Sequence, residues 1–193
     1  SLTKLLRSGV DPNLANDQNE SLLYLTVDIE NYEALTILLQ FEANCDIANK
    51  KGDTPLHLAT NKKKENFICC LLEHGANPNL CKKTKLQTPM HLCIINKLDE
   101  FTLNEFKNNG GDLFNIRDKF NKSPLDYASN DEKYKSLLLS LFLINDNNYR
   151  ENLISNSNTN FNNNCNNLNY SNFISLSKNI KLTNEANKSK NFI

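Results

Sequence analysis

Two histidines at matching places are the first candidates for chemistry. His57 lies in Thr54-Pro55-Leu56-His57-Leu58 and His91 in Thr88-Pro89-Met90-His91-Leu92. Either imidazole could serve as a general base, or join cysteines in holding a metal. A general base needs a nucleophile or carboxylate held beside it in a cleft. Here the surroundings of one histidine simply repeat around the other, which is the mark of architecture. Six cysteines, at 45, 69, 70, 81, 93 and 165, include no Cys-x-x-Cys pair. Zinc held by a mix of Cys81, Cys93, His57 and His91 is the sharp alternative, but that spacing fits no ligand pattern. Cys69, Cys70 and Cys93 stand among apolar neighbours, where a free thiol packs as a small hydrophobe. Reduced packing cysteines imply an intracellular compartment, cytoplasm or nucleus. Five glycines form no phosphate-cradling loop and no nucleophile motif appears. The expectation is therefore no catalysis, no metal and no small-molecule cofactor.

The elements around these histidines repeat. Ser21-Leu22-Leu23-Tyr24, Thr54-Pro55-Leu56-His57, Thr88-Pro89-Met90-His91 and Ser123-Pro124-Leu125-Asp126 align on a hydroxyl residue, with steps of 33, 34 and 35 residues. A second marker keeps the same beat. Leu5-Leu6-Arg7-Ser8-Gly9 returns as Leu38-Leu39-Gln40-Phe41-Glu42 and as Leu71-Leu72-Glu73-His74-Gly75, and more faintly as Phe106-Lys107-Asn108-Asn109-Gly110. In each unit the Ser or Thr reads as a helix N-cap and the Pro as the first helical residue, where its missing N–H costs nothing. A second helix follows, such as residues 65–74, whose Phe67/Ile68 and Leu71/Leu72 pairs make one apolar stripe. Gly75 ends it in the left-handed region. Ala76-Asn77-Pro78-Asn79 then reads as a turn leading into an exposed hairpin. Neither helix can bury its stripe alone, so the units must stack.

With this period and the Thr-Pro-Leu-His core, the chain resembles the ankyrin repeat family. The resemblance implies an all-α solenoid of helix-turn-helix units with hairpin or loop fingers. It covers a partial repeat over residues 1–13 and units at about 14–46, 47–79, 80–114 and 115–144. Departures are visible. Asp126 stands in place of His, and Glu30, Lys63 and Lys97 replace the glycine before the second helix. Asn19, Leu86 and Asn121 replace the glycine that Gly52 keeps two places before the anchor. The third unit has an insertion near 82–86 and lacks the Leu-Leu pair, so we expect it to be the least regular and least stable.

The opening residues hold only the second half of a repeat and no starting Met, from which a longer array is expected. Residues 133–144 read as the last second helix, apolar nearly all round. From Asn145 the composition changes: 18 of the 35 asparagines fall in residues 145–193. Such low complexity cannot bury enough to offset ordering entropy, so a disordered tail is expected. The longest strongly apolar run, residues 137–144, is far short of the roughly 18–20 residues that span a bilayer. Its flanks lack a basic cluster, so membrane contact is not expected.

Zero net charge, from 22 basic and 22 acidic side chains, hides a gradient. Residues 1–49 carry 2 basic and 8 acidic groups, residues 50–97 carry 9 and 3, and the remainder balance at 11 each. In the family, partners sit on a concave face formed by the fingers and first helices. Carried over by alignment, the exposed positions are Asp17, Gln18, Glu20, Asp28 and Ile29, then Lys50, Lys51, Asp53, Asn61 and Lys62. Lys83, Thr84, Lys85, Gln87 and Asn96 follow in the third unit, and Lys119, Phe120, Lys122, Asn130 and Asp131 in the fourth. Phe120 is an aromatic of the kind that anchors interfaces. Lys50, Lys51, Lys62, Lys83 and Lys85 should gather on that face. They form either a plain solvated surface or a dock for a protein with an acidic or phosphorylated patch. Only Arg7, Arg117 and Arg150 are present and aromatics do not interleave with them, so nucleic acid is not expected. The reading is a protein–protein interaction scaffold. Its alternative is a regulatory or substrate-recruiting segment of a larger enzyme, such as an acyltransferase, a kinase or a ubiquitin-ligase adaptor.

Overall fold

A computed structural model describes residues 1–143. Eight α-helices and one 3-10 helix follow in order: α1 Leu2–Arg7, α2 Leu22–Asp28, α3 Tyr32–Gln40, α4 Pro55–Asn61, α5 Glu65–Glu73, α6 Pro89–Ile95, α7 Glu100–Asn108, the 3-10 helix Pro124–Ala128, and α8 Glu132–Leu143. Among the described residues the only β pairing is a single bridge, Ala15 to Ser21. The Asn-rich tail, and Ile144 at the end of the expected last helix, lie outside them.

First helices pack on first helices and second on second: α2, α4, α6 and the 3-10 helix make one row, and α1, α3, α5 and α7 the other, with α8 against the 3-10 helix. This is the stacked solenoid that the repeat demands. Leu23, Leu35, Leu38, Leu56, Ile68, Leu71, Leu72, Met90, Ile94, Leu103 and Phe106 are each less than 2% or just about 2% exposed and share one core. Register decides who is buried. Leu38 and Leu71 are 1% and 0% exposed, whereas Leu5, the matching residue in α1, is 56% exposed.

The caps form as their residue types require. Ser21 accepts from the Tyr24 N–H, Thr54 from His57 and Thr88 from His91. Asn31, Asp99 and Asp131 do the same for α3, α7 and α8. The left-handed turns fall where the family has glycine, even where this chain does not. Glu30, Lys63 and Lys97 before the second helices, and Asn19, Leu86 and Asn121 before the anchors, all have φ between 51° and 60°. A Cβ in that region costs about 1 kcal/mol or more, and stacking supplies it.

The third unit keeps its helices: α6 and α7 have the 7 and 9 residues of α4 and α5. Its irregularity is confined to the finger and to the α6–α7 link. Where the Leu-Leu pair is missing, Phe106 fills the core and Lys107 donates to the Leu141 carbonyl. The least regular first helix lies instead in the last unit, where residues 124–128 wind as a 3-10 helix. There the Asp126 carboxylate accepts from Ser123 N–H and Oγ at 2.8 and 2.9 Å. It does the local work of the histidine ring but has no second nitrogen to reach onward. Along α8, Leu138, Leu139 and Phe142 are buried and Leu137 and Leu141 half-buried.

Candidate functional site

Before each anchor lies a finger, and the fingers are built from side chains acting on backbone. Asn16 Oδ1 accepts from the N–H groups of Gln18 and Glu20, Asn49 Oδ1 from Lys51 and Asp53, and Asp118 Oδ1 from Phe120 and Lys122. These are Asx turns, and a backbone bond closes each loop, such as Asn49 N–H to the Asp53 carbonyl. The third finger is one residue longer, closed from Lys82 N–H to the Gln87 carbonyl.

The fingers are tied to one another through backbone. Lys50 N–H donates to the Gln18 carbonyl at 2.9 Å, Lys83 to Lys51 at 3.1 Å and Lys119 to Lys85 at 2.9 Å. The tips therefore form one continuous row. Along it stand Asp17 and Gln18, then Lys50 and Lys51, then Lys83, Thr84 and Lys85, then Lys119, Phe120 and Lys122, all exposed. Phe120 is 60% exposed, with the Lys119 ammonium 5.1 Å from its ring centre. None of these six lysines forms an ion pair among the described residues, whereas Lys62, Lys64, Lys82, Lys97 and Arg117 do.

Several expected contact residues are engaged elsewhere. Gln87 is 7% exposed: its carbonyl faces His57 and its amide reaches the Tyr127 hydroxyl. It is part of the interior and not an exposed position. Lys62 does not join the other lysines. It caps α4 at the end away from the fingers and lies 2.9 Å from Asp28 Oδ1, so Asp28 and Lys62 hold each other across two units. Asn96 is half-buried and donates to the Thr60 carbonyl, and Asp131 caps α8 and pairs with Lys97. Glu20 is half-buried, accepting from Asn16. Asn61, Asn130 and Ile29 remain exposed.

The histidines sit beneath this row. In His57, Nε2 lies 3.1 Å from the Gln87 carbonyl, which cannot donate, so Nε2 carries the proton. Nδ1 then accepts from Thr54 N–H and Oγ1 at 3.2 and 2.8 Å. His91 repeats this with Thr88 and the Lys122 carbonyl. Both nitrogens of each ring are thus spoken for, which rules against general-base or zinc work at these positions. Burial lowers the His57 pKa to about 4 and lowers that of His91, so both are neutral. Burial also pushes the Cys45 thiol up to about 12 and Cys69 to about 11, and raises Cys93. Thiols held protonated are poor nucleophiles and poor ligands. Among the described residues no group of three His, Cys, Asp or Glu side chains could hold a metal ion, and no helix is long and apolar enough to cross a membrane.

In the last unit Tyr127 donates to Asp118 and packs edge-on against His91 at 6.2 Å. Burial opposes ionisation of Asp118, yet donors from Tyr127, Lys122 and Phe120 hold its carboxyl below the usual range. A second set of residues escaped the sequence reading altogether. Asn13 Oδ1 accepts from Asn44 N–H, Asp46 from Asn77 and Asn79 from Asp112, each at 2.7 to 2.9 Å. The signal for them was the same beat, since 13, 46 and 79 are 33 apart.

Comparison with known proteins agrees with this geometry. Residues 1–82 match the family model of ankyrin repeats in three copies. Human ankyrin repeat and SOCS box protein 16 is 32% identical over 96 residues, half of this chain and 21% of that protein. Inversin of Gallus gallus is 35% identical over 72 residues, 37% of this chain and 6% of inversin. A putative palmitoyltransferase of Danio rerio, ZDHHC13, is 29% identical over 96 residues, covering 48% of this chain and 14% of that protein. The chain thus spans less than a quarter of each relative's length. With a repeat of this period, caps of this geometry, and relatives that match through it, residues 1–82 are ankyrin repeats and the described helices stack as an ankyrin repeat solenoid.

Proposed function

We propose that the chain is a protein–protein interaction module that binds its partner along the row of finger tips, with no chemistry of its own. One observation carries the reading. Six lysines at successive tips are left without carboxylate partners while other lysines nearby are paired. Unopposed charge arrayed on a rigid scaffold favours a partner with an acidic or phosphorylated patch, which it steers and orients. Phe120 at the end of the row supplies the apolar contact that charges lack. The exposed positions that remain candidates for contact are Asp17, Gln18, Lys50, Lys51, Asn61, Lys83, Thr84, Lys85, Lys119, Phe120 and Lys122.

The test is affinity purification with quantitative mass spectrometry, comparing the wild-type chain with a variant carrying Lys50, Lys51, Lys83 and Lys85→Glu. The expected result is a set of partners retained by the wild type, released by added salt, and depleted at least tenfold on the variant. Equal retention on both, with no salt dependence, would remove the acidic-partner reading. Retention by neither would remove the interaction-module reading. A second reading, a recruiting or regulatory segment within a larger enzyme, is favoured by the match to part of a putative palmitoyltransferase. Reading the full-length coding sequence for a flanking catalytic domain tests it.

A further inference from the structure

We propose that Asp53 and Lys82 form a latch that positions the third finger, so that Asp53 serves recognition by holding this finger and not by touching the partner. The proposal rests on the reading that the finger tips are the binding surface.

The first, second and fourth fingers are each locked by an Asn or Asp five residues before the anchor, accepting two N–H bonds. In the third finger the corresponding residue at the start of the loop is Lys82, which can accept nothing. The loop is also one residue longer, so by itself it is the least constrained of the four. Lys82 instead reaches back to the second finger, where its Nζ lies 2.6 Å from Asp53 Oδ1. Their side chains are only 12% and 19% exposed. The exposed pairs Lys64–Glu30 and Lys97–Asp131 are between 36% and 61% exposed. A sheltered pair is screened less by salt and costs more to break from one side.

The two fingers meet closely at the same place. A Cβ added to Gly52, next to Asp53, would come 2.5 Å from Lys83 N, the atom that bonds the Lys51 carbonyl. Glycine and latch together bring the third tip down onto the second. The pairing has a further consequence for charge. Asp53 is the one carboxylate in residues 49–53 and 82–87. Tied to Lys82, it leaves Lys50, Lys51, Lys83 and Lys85 unopposed at the tips.

Amide hydrogen exchange on the whole chain, without any partner, tests the latch. Asp53→Asn and Lys82→Met are each compared with wild type and with the charge-swapped Asp53→Lys/Lys82→Glu variant. The amides of Lys82, Lys83 and Leu86, bonded to the Gln87, Lys51 and Lys82 carbonyls, should exchange at least tenfold faster in both single variants. Amides of the first and fourth fingers and of α4 and α5 should keep their wild-type rates, and the swap should restore most of the protection. Unchanged third-finger rates, equal acceleration at all four fingers, or a swap no better than the single variants would each overturn the proposal. Because no partner is present, the result stands apart from whether the fingers bind an acidic protein.

Discussion

His57 has no solvent exposure, with one ring nitrogen donating to the Gln87 carbonyl and the other accepting from Thr54. A proton added to the ring would place a charge where burial denies it water, and would set an Nδ1–H against the Thr54 N–H. The folded chain therefore refuses a proton that the unfolded chain takes up at the ordinary value of 6.5, and accepts it only at about 4. Between those values the unfolded state binds more protons, so stability rises with pH and falls as pH drops through the window. For His57 alone the loss amounts to about 3 kcal/mol across it, and His91 shifts in the same direction. The urea midpoint should accordingly fall steeply from pH 7 to pH 4.5. His57→Gln should be less stable at pH 7 and show a shallower fall. A variant slope equal to that of the wild type would show that the ring does not titrate as described.

At the scale of elements, what joins one unit to the next is a ladder of side chains on backbone. Asn79 takes the Asp112 N–H on Oδ1 and gives Nδ2 to the Gly110 carbonyl, both at 2.8 Å, across the turn that follows α7. Asn79→Ala removes both bonds and should cost about 1–2 kcal/mol in urea unfolding. Exchange should quicken at Asp112 before it does at Asn77, whose N–H is held by Asp46. If Asp112 kept its protection, the ladder would be ornament and helix stacking alone would hold the units.

Across the whole molecule, burial follows a residue's place in the array more than its type. Leu71 and Leu5 occupy the same register in copies of one motif two repeats apart, yet they are 0% and 56% exposed. Leu71→Ala should cost about 3 kcal/mol, while Leu5→Ala should stay within about 0.5 kcal/mol, both read from urea midpoints at constant slope. Because each unit contacts only its neighbours, the Leu71 variant should also split the transition between the two sides of α5. A single sharp transition would mean that coupling across the array is stronger than nearest-neighbour stacking.

Much of this was legible before any coordinates. A hydroxyl followed by Pro at a steady 33- to 35-residue beat specifies capped helices, and paired leucines on the same beat specify a shared interior. Helix and cap are local events, written in adjacent residues, so the order of helices could be read directly. The left-handed turns at Glu30, Lys63, Leu86 and Lys97 could not, because stacking imposes them on residues that do not favour that conformation. Contacts between units are not local. Gln87 looks polar and exposed in sequence, but stacking buries it over His57. Lys62 counts as one more positive charge, but the fold sets it beside Asp28 and away from the tips. Asp53 looks like a contact residue, but the third finger turns it toward Lys82. Partners some 30 residues apart are chosen by how one unit lies on the next, and that placement exists only once the chain has stacked. Composition and period therefore determined the kind of fold and its net charge gradient, while tertiary packing alone decided which charges are consumed within the array and which are left free at its tips.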